Sequence, residues 1–130
     1  MFTIEQTKAA HSKVKSGADF PGYIKELKTL GVISYEHFVA DGQIQYHGEE
    51  NFQISATPKW PEMEIAETGS IEKLKQALGI HQQGRTDYLT FCKQSAEAGV
   101  KKWIVDFKQM TCTYYDRSGD DMVVESVPEV

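Results

Sequence analysis

Gly31-Val32-Ile33-Ser34-Tyr35-Glu36-His37-Phe38-Val39-Ala40-Asp41-Gly42-Gln43-Ile44-Gln45-Tyr46-His47 is the stretch that decides the fold. A glycine is followed by a β-branched and aromatic run, which reads as a strand over 32–40. Asp41-Gly42 reads as a two-residue hairpin turn, because a type I′ turn needs positive φ at both central positions. The chain then returns through Gln43 to His47. A turn of that length sets the register: Ala40 faces Gln43, Val39 faces Ile44, His37 faces Tyr46 and Glu36 faces His47. One face then carries Tyr35, His37, Val39, Ile44 and Tyr46, and is the side helices would cover. The other carries Glu36, Phe38, Gln45 and His47.

The pattern returns later in the chain. Gly99-Val100 stands where Gly31-Val32 stood, Trp103 where Tyr35 stood, and Tyr114 where Tyr46 stood. Upstream, Ile4 matches Ile71, Lys8 matches Lys75, Ala10 matches Ala77 and Gly17 matches Gly84. After one inserted residue, Asp19 matches Asp87, Phe20 matches Tyr88 and Tyr23 matches Phe91. Self-similarity of this kind outranks local propensity in assigning a fold. Helix signals fall in step as well. Thr3 is an N-cap with Gln6 placed for a capping box, and Gly17 ends that helix. Asp19 caps the next, Pro21 sits in its first turn and Gly31 stops it. Ser70 and then Thr86 or Asp87 start the second pair, which Gly84 and Gly99 end. Further strands read over 52–56, 100–108, 111–116 and 122–127, with Pro128 closing the last. The expected architecture is α+β: tandem ααβββ repeats over 3–56 and 70–127, joined by a connector over 57–69. They form one domain over 1–130, an antiparallel sheet with four helices on one face and a pseudo-twofold.

Composition narrows the function. Of 130 residues, 40% are hydrophobic and 25% charged, ordinary for a globular protein, and the formal net charge is −5. No apolar run is long enough to span a bilayer, and the start lacks a basic-then-apolar signal, so the expected location is cytoplasmic. Lys8, Lys13 and Lys15, and then Lys101 and Lys102, have acidic neighbours elsewhere and form no basic stripe, which argues against a nucleic-acid partner. Cys92 and Cys112 lie on apolar faces and read as reduced core residues.

Site candidates emerge from differences between the copies. His11 occupies the position of Leu78, and His37 the position of Val105, both on apolar stripes. If the first helix covers the sheet, His11, Tyr35, His37 and Tyr46 line one polar pocket, where a neutral imidazole can act as base, hydrogen-bond partner or ligand. The commoner fate of such a histidine is a hydrogen-bonded core residue, and His37 opposite Tyr46 would satisfy itself. Trp60, between Pro58 and Pro61, either pins the connector or offers a partner-binding handle. Glu36 with His47 lacks a third metal ligand, and the Asp116, Asp120, Asp121 cluster lacks a closing Glu, so no metal is expected. No phosphate loop, nucleophile elbow or other cofactor motif is present, and nothing reads as a catalytic signature.

The opening Met1-Phe2-Thr3-Ile4-Glu5-Gln6, the stretch Ala10-His11-Ser12-Lys13-Val14-Lys15-Ser16-Gly17-Ala18-Asp19-Phe20-Pro21 and the 30–42 hairpin resemble the YbcV-like family of bacterial and prophage proteins. Some members carry the label "phage envelope protein". The resemblance implies a phage-associated ancestry, and no catalytic residues can be carried over from it. The first expectation is therefore a non-enzymatic binding or interaction module, with a protein partner on the open sheet face or around Trp60. The second is a small-molecule binder or enzyme built on the His/Tyr pocket, and the third a virion or envelope component. An edge-strand homodimer is a further option.

Overall fold

The computed structural model describes residues 2–14 and 19–127, and among them the chain forms four helices and six strands. The order is α1 (Ile4–His11), α2 (Phe20–Leu30), β1 (Val32–Phe38), β2 (Ile44–Gly48), β3 (Gln53–Ser55), α3 (Ile71–Gln82), α4 (Tyr88–Glu97), β4 (Val100–Asp106), β5 (Thr111–Asp116) and β6 (Asp121–Ser126). The strands form one antiparallel sheet in the order β3-β2-β1-β4-β5-β6.

Helix starts follow side-chain chemistry. Thr3 and Gln6 close a capping box, Ser70 Oγ accepts from Lys73 N–H, and Asp87 Oδ1 accepts from Thr90 N–H. Asp19 departs from expectation: it sits in the αR region and makes no side-chain capping bond to α2. Pro21, in the first turn, removes one of the donors that a cap would answer. The expected stop at Gly17 and the closing Pro128 lie outside the described residues. Gly31 (φ +104°) and Gly99 (φ +85°) take the left-handed turn that releases each second helix into a strand.

The first hairpin differs from its sequence reading. His37 pairs with Ile44, Glu36 with Gln45 and Tyr35 with Tyr46, so the register is shifted by two residues. Gly42 has positive φ but Asp41 does not, and a four-residue loop, 39–42, replaces the expected type I′ turn. Asp41 Oδ1 accepts from Gln43 N–H instead, closing an Asx turn. A shift of two keeps every side chain on its face. Tyr35, His37, Val39, Ile44 and Tyr46 are accordingly all buried.

The halves agree in detail. β1 and β4 have the same length and burial alternation, and each carries a bulge at its start. Met110 (φ +53°) takes the left-handed place in the second hairpin loop that Gly42 (φ +74°) takes in the first. β1 and β4 pair in the middle of the sheet, with Glu36 opposite Ile104. The connector is tied down as well: Met63 N–H donates to Ala40 C=O, Ala66 N–H to Ala96 C=O and Ser70 N–H to Ala98 C=O.

At the crossing of connector and α4, backbone meets backbone. A Cβ on Gly99 would stand 2.7 Å from Gly69 Cα and 2.8 Å from the Thr68 carbonyl oxygen. Gly99→Ala should therefore lose about 3 kcal/mol, from a strained φ plus a clash with no flexible neighbour to yield. Gly79, inside α3 with nothing within 4 Å of a new Cβ, is the control. Gly79→Ala should gain about 0.5–1 kcal/mol of helix propensity. Urea unfolding of both variants checks the pair; equal effects would refute the close approach.

Candidate functional site

Helices and sheet do not close fully on each other. A partly open cavity of about 500 Å³ remains between them, within the range of small-molecule sites. Both halves line it through residues at corresponding positions: His11 and Leu78, Val14 and His81, Phe20 and Tyr88, Tyr23 and Phe91, Tyr35 and Trp103, Ile44 and Cys112.

The members of these pairs differ in polarity, and the polar ones gather. His37 Nε2 and the Tyr88 hydroxyl are hydrogen-bonded. His11 meets the Tyr88 ring edge-on at 4.6 Å between centroids. His37 also stacks flat on Trp103, its neighbour across β1 and β4, with centroids 4.0 Å apart and planes at 10°. The counterparts of His11, His37 and Tyr88 are the apolar Leu78, Val105 and Phe20.

Burial sets the electrostatics. His37 is 1% exposed, and desolvation, helped by Lys59 and His11, holds its pKa well below the ordinary imidazole value. His11 is brought down to about 4, by burial first and then by Lys59. Burial raises the Tyr23, Tyr35, Tyr88 and Tyr114 hydroxyls and pushes the Cys112 thiol up to about 12. At neutral pH this wall is uncharged: neutral imidazoles, protonated phenols, protonated thiols. Glu125, across the cavity, accepts from the Gln82 amide at 3.1 and 3.2 Å.

Of the residues singled out from sequence, His11, Tyr35 and His37 stand on the cavity wall. Tyr46 stands behind it, its hydroxyl 3.0 Å from that of Tyr23. His37 does not pair with Tyr46 as the hairpin reading had it. Its cross-strand neighbours are Ile44 and Trp103, and its hydrogen bond goes to Tyr88 on α4. Glu36 likewise faces Gln45 rather than His47, and lies 3.8 Å from Lys102 on the outer face. Trp60 donates its indole N–H to Ala40 C=O and lays its ring against Gly42. Cys92 and Cys112 are free and buried.

Sequence reasoning missed Tyr88 as a site residue. The signal was available, because Tyr88 adds a hydroxyl at the position of Phe20, the same kind of contrast that marked His11 against Leu78. Trp103 and Glu125 also line the cavity, and the sequence reading singled out neither as a site residue.

Among the described residues, no three His, Cys, Asp or Glu side chains converge to hold a metal ion. Among the same residues, no helix is long and apolar enough to cross a membrane. Residues 8–126 match the family described as "Protein of unknown function (DUF1398)". The chain belongs to that family. The matched span contains the cavity wall from His11 to Ser126. Its relatives include the "Uncharacterized protein YcgX" of Escherichia coli (strain K12), 22% identical over 115 residues, which are 88% of this chain and 86% of that protein.

Three depressed imidazoles, His11, His37 and His81, make stability depend on pH. Each binds protons more weakly when folded than when unfolded, so the unfolded state takes up more protons as pH falls. The full contribution is present above pH 6.5 and is lost as pH falls toward about 4. His11 should account for about 2 kcal/mol of this loss, at ~1.4 kcal/mol per pH unit and discounted for its partial exposure. His11→Leu, which installs the residue found at position 78, should remove that part of the acid sensitivity. Urea unfolding at about pH 7.5 and 4.5 measures it; an unchanged pH dependence would show that His11 is not buried as a neutral ring.

Proposed function

We propose that this protein binds a small organic molecule in the cavity between its helices and its sheet. The observation that carries the reading is the cavity itself, with its apolar wall and one cluster of neutral polar groups. Protein interiors pack densely, and a dry void of even 100 Å³ costs about 2 kcal/mol. A space of about 500 Å³ lined by aromatic rings is the kind of site that an apolar ligand fills. Neutral imidazoles and phenols orient such a ligand without the cost of burying a charge.

A non-enzymatic role fits this reading. Burial keeps the cysteine thiols and tyrosine hydroxyls protonated, and no carboxylate acts on His11 or His37 to make either a strong base; Asp87 acts on the third cavity histidine, His81, whose pKa burial still lowers. A protein-interaction module has less behind it. The outer sheet face alternates Glu36, Lys102, Gln45 and Thr113 with Phe38, Ile104 and Tyr115, and the Trp60 ring is engaged by its own fold. The phage association belongs to the resemblance alone, and nothing in the cavity speaks for it. A cytoplasmic location and a duplicated ancestral unit are part of the same proposal. What supports duplication is the shared element order, bulge position and loop geometry of the halves.

Naphthalene is a suitable neutral probe. It should bind saturably, one per chain, and quench Trp103. Leu78→Trp and Ile44→Phe, which fill the cavity from the helix side and the sheet side, should abolish binding while leaving the circular dichroism unchanged. Native mass spectrometry of protein from its own cell should show a bound organic molecule that the filled variants lack. Unaltered naphthalene binding by both filled variants, or no saturable binding by the parent, would refute the cavity as the site.

A further inference from the structure

Among the described residues, Glu125 is the one member of the cavity wall that carries a formal charge. His11, His37 and His81 on the same wall have lowered pKa values and are uncharged at neutral pH, and no lysine or arginine joins them. Glu125 stands on the inner face of β6, directly across from the buried Cys112. Its charge is felt inside: burial above all, with Glu125 contributing, raises the Cys112 thiol and the Tyr114 hydroxyl.

The carboxylate is held in place but not neutralised. Gln82, the last residue of α3, donates its amide to both carboxylate oxygens, at 3.2 and 3.1 Å. Gln82 is exposed and Glu125 half-buried, so the pair stands where the cavity opens to solvent. The ion pairs among the described residues, Lys13 with Glu26 and Lys102 with Glu36, leave Glu125 without a cation. His81 supplies none. Its Nδ1 lies 3.0 Å from the Thr86 carbonyl oxygen, which only accepts, so that nitrogen donates and the neutral ring has no second proton.

Other features of this end also favour positive charge. α3 ends here, with the negative pole of its dipole. Trp103 and Tyr114, on the neighbouring strands, offer ring faces that attract cations. The far end is the reverse, since the Lys59 charge acts on His11 and His37. β6 lies three strands from β1, about 14 Å at ~4.8 Å per strand. A cation at the mouth keeps part of its water and escapes the cost of a charge buried deeper in.

We propose that the ligand is a hydrophobic amine, whose ammonium group pairs with the Glu125 carboxylate at the mouth while its apolar body lies inside along the aromatic wall. This inference rests on the small-molecule reading above and narrows it to one chemical class.

Three probes of one shape test it: 2-(aminomethyl)naphthalene, 2-ethylnaphthalene and 2-naphthaleneacetate, each measured by equilibrium dialysis against the full chain at neutral pH. The ethyl compound replaces the ammonium by a methyl group, and the acetate replaces it by a negative charge. The amine should bind at least tenfold more tightly than the acetate. Glu125→Gln keeps the shape of the side chain and deletes its charge. It should lower the amine-to-hydrocarbon affinity ratio about tenfold, the size of one charge-assisted hydrogen bond at a part-exposed site, and leave the hydrocarbon affinity unchanged. Glu97→Gln removes an equal charge from an exposed position at the end of α4, outside the cavity wall, and should leave the ratio as it was. A ratio unchanged by Glu125→Gln, a ratio lowered equally by Glu97→Gln, or the acetate as the tightest ligand would overturn the amine assignment while leaving the cavity as a binding site. Saturable binding by none of the three would overturn the cavity reading and this inference together.

Discussion

Everything in this molecule depends on the pairing of β1 with β4 at the centre of the sheet. Each half alone has three strands, and its two helices cover only part of an apolar face. Joined through that ladder, they present one continuous inner surface, on which Tyr35 meets Val105 and His37 meets Trp103. The register decides which side chains become neighbours, and a slip of one residue would turn His37 and Trp103 to solvent. The stacked His37–Trp103 pair is thus a product of the join between the halves, and neither half contains it alone.

The space above that join is kept open by what stands around it. Tyr23 and Tyr46 bond hydroxyl to hydroxyl, His81 stacks on Phe91 with centroids 4.4 Å apart, and Trp60 packs near Tyr88 at 5.7 Å. Aromatic rings are stiff and large, so a ring of them resists collapse better than aliphatic chains of equal area. Each polar atom in this framework but a few finds a partner within it. Among the described residues, the exceptions among buried side chains are His37 Nδ1, Gln94 Oε1 and Ser95 Oγ, and only the first belongs to a cavity-lining residue.

How much of this was legible in the sequence follows from the range of the interactions. Capping residues, glycine stops and strand alternation act within a few positions, so Thr3, Ser70, Gly31 and Gly99 announced the elements correctly. The inward face of the first hairpin was also legible, because alternation survives a two-residue shift. The register itself was not, since Asp41-Gly42 is as compatible with a four-residue loop as with a two-residue turn. Partners across elements were beyond reach. Nothing near position 37 reports that Tyr88, on the fourth helix, supplies its hydrogen bond. The comparison of halves drew attention to His11 and His37 by their chemistry, but a tyrosine in place of a phenylalanine reads as conservative until its hydroxyl is seen against an imidazole.

On the proposed duplication, Glu36 opposite Ile104 is the pair through which the relation between the halves passes, since each occupies the place of the other. A residue in that situation faces its own equivalent. Two glutamates set directly across a ladder repel each other, and two isoleucines would widen the oily stripe on an open sheet surface. A chain whose halves are covalently linked escapes the dilemma, because one side of the pseudo-axis can be acidic and the other aliphatic. Separate identical subunits meeting about the same axis would have to place the same side chain on both sides.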